Sequence, residues 1–264
     1  MPVVTISRGA YSSGREVAER LAGALRYKCI SREIVLSASM HFNIPEMTLI
    51  RAVHDAPSVF DRFSYGKQRY VAYVRQAMLE TAQKDNVVYH GLAGHYFLRG
   101  IPHVIKVRIL ADLEDRVAEE MRREYISAED ARRALLKDDE ARERWSQYIF
   151  GINASDPSLY DLVLNVRSVT VDEAVDIIAS AVKLPCFQPT LESRKAMHRL
   201  YVAARLQVAL MEEIPSIKVD VENGKIVVVA KGHWAQGKKL LAKIDQLIDV
   251  EKEQVRIEMK LSNR

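Results

Sequence analysis

The sequence predicts an α/β protein: a three-layer α/β/α domain on a parallel sheet, followed by a small α+β unit of order αββαβ. Three observations carry that prediction. Short β-branched runs alternate with helical stretches through residues 1–185, the pattern breaks between Pro185 and Pro189, and residues 190–264 hold a hairpin signal at Asn223-Gly224. With 264 residues, 48% of them apolar, the chain can bury a sizeable core in one large domain or one large and one small.

The elements follow in order. Val3-Val4-Thr5-Ile6 is a run fit for a buried strand, and in REVAERLAGAL after it Val17, Leu21 and Leu25 recur at helical spacing. A second strand is expected from Tyr27 to Ile30, then a long helical stretch carrying Phe42, Ile44 and Met47, broken near Pro45. RYVAYVRQAMLETAQK reads as an amphipathic helix leading into the strand NVVYH at 86–90. Another strand at about 104–109, the charged helix DLEDRVAEEMRREY, a last strand in LYDLVLNV and the helix VDEAVDIIASAV complete the alternation. Strands separated by helices imply a parallel sheet covered on both faces, with ligands outside the carboxyl ends of its strands.

After Pro189 the grammar changes. ESRKAMHRLYVAARLQVALMEE reads as a long helix, IKVDV and IVVVAKG as strands joined by ENGK, QGKKLLAKIDQLI as a helix and EQVRIEM as a closing strand. This order resembles a BON-type module, which implies a binding or interaction role with a protein or small-ligand partner. His233 and Trp234 read as a turn with a packed aromatic.

Charge and cysteine usage narrow the classes. A net charge of +4 with 28% charged residues falls short of a concentrated basic face, so a nucleic-acid partner is not expected. Cys29 and Cys186 offer neither a disulfide framework nor metal spacing, which points to a reducing cytoplasm. No leader-like start and no apolar stretch near the roughly 20 residues of a membrane span are present, so no membrane partner is expected.

The stretch SRGAYSSGRE, residues 7–16, carries Gly9 and Gly14 at G-x4-G spacing between a strand and a helix. A phosphate-binding loop needs such glycines, a helix N-terminus behind them, a lysine, and a hydroxyl for magnesium. Here Arg15 stands for the lysine and Glu16 for the hydroxyl residue. Arginine can grip phosphate through two donors, whereas a carboxylate repels it unless a metal intervenes. An altered phosphate loop and an ordinary strand-to-helix turn both remain open on these residues alone.

Several segments together say more. SRxxxSxGREVAERLAxxL, then NVVYHGLAGHYFLRGIPHVIKVRILADLEDRV, ARRALLKDDEARERW and DPSLYDLVLNV with VDEAVDII resemble, in order over residues 3–183, the cytidylate-kinase-like family of nucleoside monophosphate kinase relatives. The resemblance implies a P-loop kinase-type fold and ATP-dependent phosphoryl transfer, with Mg2+, to a CMP-like nucleoside monophosphate. It also implies a phosphate loop at Gly9, Ser12, Ser13, Gly14, Arg15 and Glu16, and an arginine-rich lid at about 112–150. Arg15, Asp139, Arg142 and Arg144 would then surround the transferring phosphoryl group, with Arg122, Arg123, Arg132 and Arg133 as weaker candidates. Tyr11 and Ser13 replace two glycines of the family pattern. Leu92 stands where the family carries an acceptor-binding arginine, so Arg62, Lys67, Arg69, Arg75, His90 and His95 become the acceptor-side candidates. His90 and His95 lack a third ligand, and no metal site is predicted from them. The alternative is a degenerate nucleotide- or ligand-sensing module coupled to the C-terminal unit. The sequence does not fix an oligomeric state.

Overall fold

Val3, Val4 and Ile6 are almost wholly shielded from solvent, which is why the first β-branched run becomes the central strand. The computed structural model describes residues 1–8, 13–54, 66–91, 93–232, 234–248 and 255–261. In it β1 (Val3–Arg8) lies between β3 (Val87–His90) and β4 (Val104–Leu110), with β2 (Lys28–Ile30) and β5 (Leu162–Asn165) at the edges. Every pairing in the order β2-β3-β1-β4-β5 is parallel. This is the P-loop kinase-type sheet.

Side-chain alternation builds the layers. Val4, Ile6, Val88, Ile105, Val107 and Ile109 face one side, where α1 (Gly14–Leu25) and α8 (Val171–Val182) cover them. Val3, Val87, Tyr89 and Val104 face the other, under α2 (Arg32–Phe42), α3 (Glu46–His54), α4 (Gly66–Ala82) and α5 (Gly94–Phe97). The helical stretch before Pro45 ends at Asn43 in the left-handed conformation (φ 51°), and α3 starts just beyond the proline. Two further helices, α6 (Leu113–Glu124) and α7 (Ala128–Phe150), connect β4 to β5.

The C-terminal unit follows the expected order: α9 (Leu191–Met211), β6 (Lys218–Glu222), β7 (Lys225–Gly232), α10 (Trp234–Leu247) and β8 (Val255–Leu261). β6 and β7 are antiparallel and β7 and β8 parallel, so the sheet is mixed. Asn223 (φ 49°) and Gly224 (φ 73°) both take positive φ, as a two-residue hairpin turn requires. Trp234 opens α10 rather than sitting in a turn, and His233 lies outside the described residues. Met197, Leu200, Val202 and Leu206 of α9 share one apolar cluster with Val74, Met78 and Leu79 of α4. The two parts therefore pack through a common core, flanked by an Arg75 to Asp220 bond at 3.2 Å. No helix among the described residues is long and apolar enough to cross a membrane.

Candidate functional site

Arg108 is a cation in an internal strand whose Val104, Ile105, Val107 and Ile109 are buried. At this carboxyl end of the sheet its guanidinium donates to the Tyr160 hydroxyl at 3.1 Å and to the Ala154 carbonyl, and lies 5.4 Å from the Tyr160 ring centre. The Tyr160 hydroxyl donates to the same carbonyl at 2.8 Å and stands 3.4 Å from Ser7 Oγ and 3.3 Å from His95 Nε2. Ser7 near the end of β1, His95 in α5, Arg108 in β4 and Tyr160 just before β5 thus form one polar network. Burial pushes the His95 imidazole down to about 3, and the charges of Arg108 and Lys106 act in the same direction, so it is neutral near pH 7.

The HGLAGH segment explains where His95 sits. A Cβ on Gly94 would come within 2.5 Å of the buried Tyr89 ring, and Gly91 holds φ 155°. Only glycine lets the backbone pass that ring and start α5 with His95 beneath the sheet end.

Above the network lies α7. Ser127 caps it by accepting the Asp130 N–H at 3.1 Å, and Trp145, with no exposed surface, anchors it edge-on to Phe150, which stacks on Tyr96 at 4.6 Å. Asp139, Arg142, Glu143 and Ser146 fall at helical spacing on one face and line a cavity that also holds Ser7, His95, Arg108 and Arg116. Arg116 of α6 donates to Asp139 at 2.7 Å and is only 10% exposed. Three guanidinium groups from β4, α6 and α7 therefore surround one cavity.

A second cleft of about 520 Å³ opens beside the start of α1, lined among others by Ser13, Arg15, Glu16, Arg122, Arg123 and Arg167. Gly14 is buried at the helix start. Arg15 is 71% exposed and donates to Glu19 at 2.8 Å, and this bond and charge raise its pKa further. Glu16 is held by Arg20 at 2.5 Å, which also reaches Asp172 at 2.5 Å.

The other sequence candidates scatter. Arg144 turns away from the cavity, exposed and paired with Glu140 at 3.2 Å, which removes it from the group around Asp139. Arg132 and Arg133 pair with Glu114 and Glu129 on exposed faces. Arg69 bonds Tyr73 at 2.5 Å and faces Glu212 of the C-terminal unit at 3.7 Å, and Arg75 likewise meets Asp220 there, so neither stands at the sheet end. His90 closes β3 in a buried position, outside the linings of both clefts. Gly9, Tyr11, Ser12, Arg62 and Leu92 lie outside the described residues, and Lys67 lies in α4 with its side chain outside them. Among the described residues no group of three His, Cys, Asp or Glu side chains could hold a metal ion. Sequence reasoning passed over Ser7, Arg108, Arg116 and Tyr160. The readable signal was Arg108, a cation near the carboxyl end of an apolar strand inside a parallel sheet.

A family model for the cytidylate kinase-like family matches residues 3–168. The cytidylate kinase of Methanopyrus kandleri is 30% identical over 111 residues, covering 39% of this chain and 58% of that protein. That of Methanosarcina acetivorans is 34% identical over 102 residues, covering 38% and 56%. The chain thus spans under two-thirds of the length of these two relatives. The cytidylate kinase of Staphylothermus marinus is 28% identical over 186 residues, covering 67% of this chain and 94% of that protein. Among solved structures, an uncharacterized protein from Eubacterium ventriosum shares the fold at a TM-score of 0.54 and 20% identity, over 69% of this chain and 97% of that one.

Proposed function

The chain belongs to the cytidylate kinase-like family, and on that premise we propose that it transfers the γ-phosphoryl group of ATP to a CMP-like nucleoside monophosphate. One observation carries the reading. Arg108, Arg116 and Arg142 come from separate elements to one cavity at the end of β1, beside the cleft at the start of α1. Phosphoryl transfer asks little covalent chemistry of a protein and depends on cations that spread charge over the transferring oxygens.

The donor set fits a polyphosphate. The N–H groups at the first turn of α1 would bind its oxygens together with Arg15, Arg123 and Arg167, and Glu16 would stand nearest a magnesium ion. Bound Mg-ATP supplies the phosphoryl group. Arg116 and Arg142 orient and screen it, α7 excludes water above, and neutral His95 offers a hydrogen bond without adding charge. Arg108 takes the acceptor-phosphate role that the family's arginine holds where Leu92 stands. In this reading residues 1–185 are the cytoplasmic catalytic unit, and 190–264 a BON-like module for a protein or small-ligand partner.

Isothermal calorimetry separates the two sites. Mg-ATP and CMP should each bind the full chain, Arg15→Ala should weaken ATP by about tenfold, equivalent to about 1.4 kcal/mol, with CMP unchanged, and Arg108→Ala should weaken chiefly CMP. Absence of heat from either nucleotide with the folded wild type would reject the proposal.

A further inference from the structure

We infer, resting on the reading of the arginine-lined cavity as the acceptor site, that the acceptor is a ribonucleotide and that the buried Tyr96 hydroxyl reads a hydroxyl of its sugar. Tyr96 of α5 lines that cavity and is only 8% exposed. Its hydroxyl is shielded from solvent and has no hydrogen-bond partner among the described residues. The ring is fixed by stacking on Phe150 at 4.6 Å and by contact with the His95 ring at 3.8 Å. Burial raises its pKa, against a smaller opposing effect of nearby Ser146, so the phenol is a neutral donor near pH 7. A buried hydroxyl left unsatisfied is costly, and a phenylalanine ring would fill the same space. The oxygen is explained if a bound substrate completes it.

The cavity orders its groups as a nucleotide orders its own. Arg116 and Ala111 line both this cavity and the cleft at the start of α1, so an acceptor phosphate lies toward that end to receive the phosphoryl group. Asp139, the partner of Arg116, precedes Ser146 on α7 by about 10 Å of helix, which sets the hydroxyls at the other end. There Ser146, 1% exposed, spends its proton on the Arg142 carbonyl at 2.9 Å and keeps its oxygen as an acceptor, while Tyr96 donates. Glu143, one turn before Ser146, adds a carboxylate that suits a hydroxyl and repels a phosphate. The cavity volume is about 170 Å³, little more than the roughly 150 Å³ that holds one benzene ring, so a single ring enters. In a nucleoside monophosphate the ring next to the phosphate is the sugar.

The test uses the full chain with CMP, 2′-deoxy-CMP and 3′-deoxy-CMP, read by calorimetry and by steady-state transfer from Mg-ATP. CMP should be preferred over at least one deoxy analogue by about tenfold or more in Kd and in kcat/KM, because a site built around a hydroxyl rejects the analogue that lacks it. Tyr96→Phe should melt no lower than the wild type, since it removes an unsatisfied group, and should erase that preference by weakening CMP. A preference seen in binding but no transfer to any acceptor would contradict phosphoryl transfer and leave the sugar reading standing. Equal binding and transfer with CMP and both analogues would overturn the sugar reading and leave phosphoryl transfer standing. An equal loss on all three in a folded Tyr96→Phe would also overturn it, placing the hydroxyl on the phosphate or on a bound water. No binding of any of the three would overturn both.

Discussion

His95 shows how a single residue ties site chemistry to stability. Its folded pKa of about 3 lies below the ordinary 6.5, so between those values the unfolded chain binds a proton that the folded chain refuses. Stability contributed by the neutral imidazole is therefore present above pH 6.5 and lost as pH falls toward 3. Between pH 7.5 and 5 the expected loss is about 2 kcal/mol, and His103, also pushed down by burial, adds in the same direction. Urea unfolding across that range should show His95→Gln losing about 2 kcal/mol less than the wild type. Parallel curves would mean that His95 is not held neutral. At this scale the sequence was half legible. Arg142, Asp139 and His95 stood out as polar residues in matched segments, whereas Arg108 and Tyr160 hid in segments that read as strand: the place of Arg108 follows from the strand register, and Tyr160 ends the short turn before β5.

Between elements, the glycines of HGLAGH decide how closely α5 can approach β3. Because a Cβ on Gly94 would meet the Tyr89 ring at 2.5 and 2.7 Å, Gly94→Ala should destabilise the protein by about 1–3 kcal/mol. Gly23, in the interior of α1, has nothing within 4 Å of its Cβ position, and Gly23→Ala should stabilise by about 0.5–1 kcal/mol. Calorimetric melting of the two variants checks the pair, and a stable Gly94→Ala would show that the ring moves freely. Helices were readable from their apolar spacing. The inward face of α7 was not, since its charges surround the helix and only the burial of Trp145 and Ala131 fixes which of them meet the cavity; hence Arg144 was grouped with Arg142 although it points outward.

For the whole molecule, the αββαβ order after Pro189 was legible. The common core was less so. α9 buries Met197, Leu200, Val202, Ala203, Leu206 and Val208, more than one face, because it lies between α4 and its own sheet; apolar breadth of this kind reads as a buried helix but does not name its neighbours. The packing leaves the sheet's carboxyl end to α6 and α7, where arginines gather around Ser7, and nucleotide phosphoryl transfer is the reading that uses them all. The most direct test is the steady-state rate of phosphoryl transfer from Mg-ATP to CMP and the other nucleoside monophosphates, in the wild type and in Arg116→Ala and Arg142→Ala. The account predicts turnover by the wild type and a loss in kcat of about 100-fold or more in each variant. ATP binding without turnover on any acceptor would contradict it and leave a nucleotide sensor.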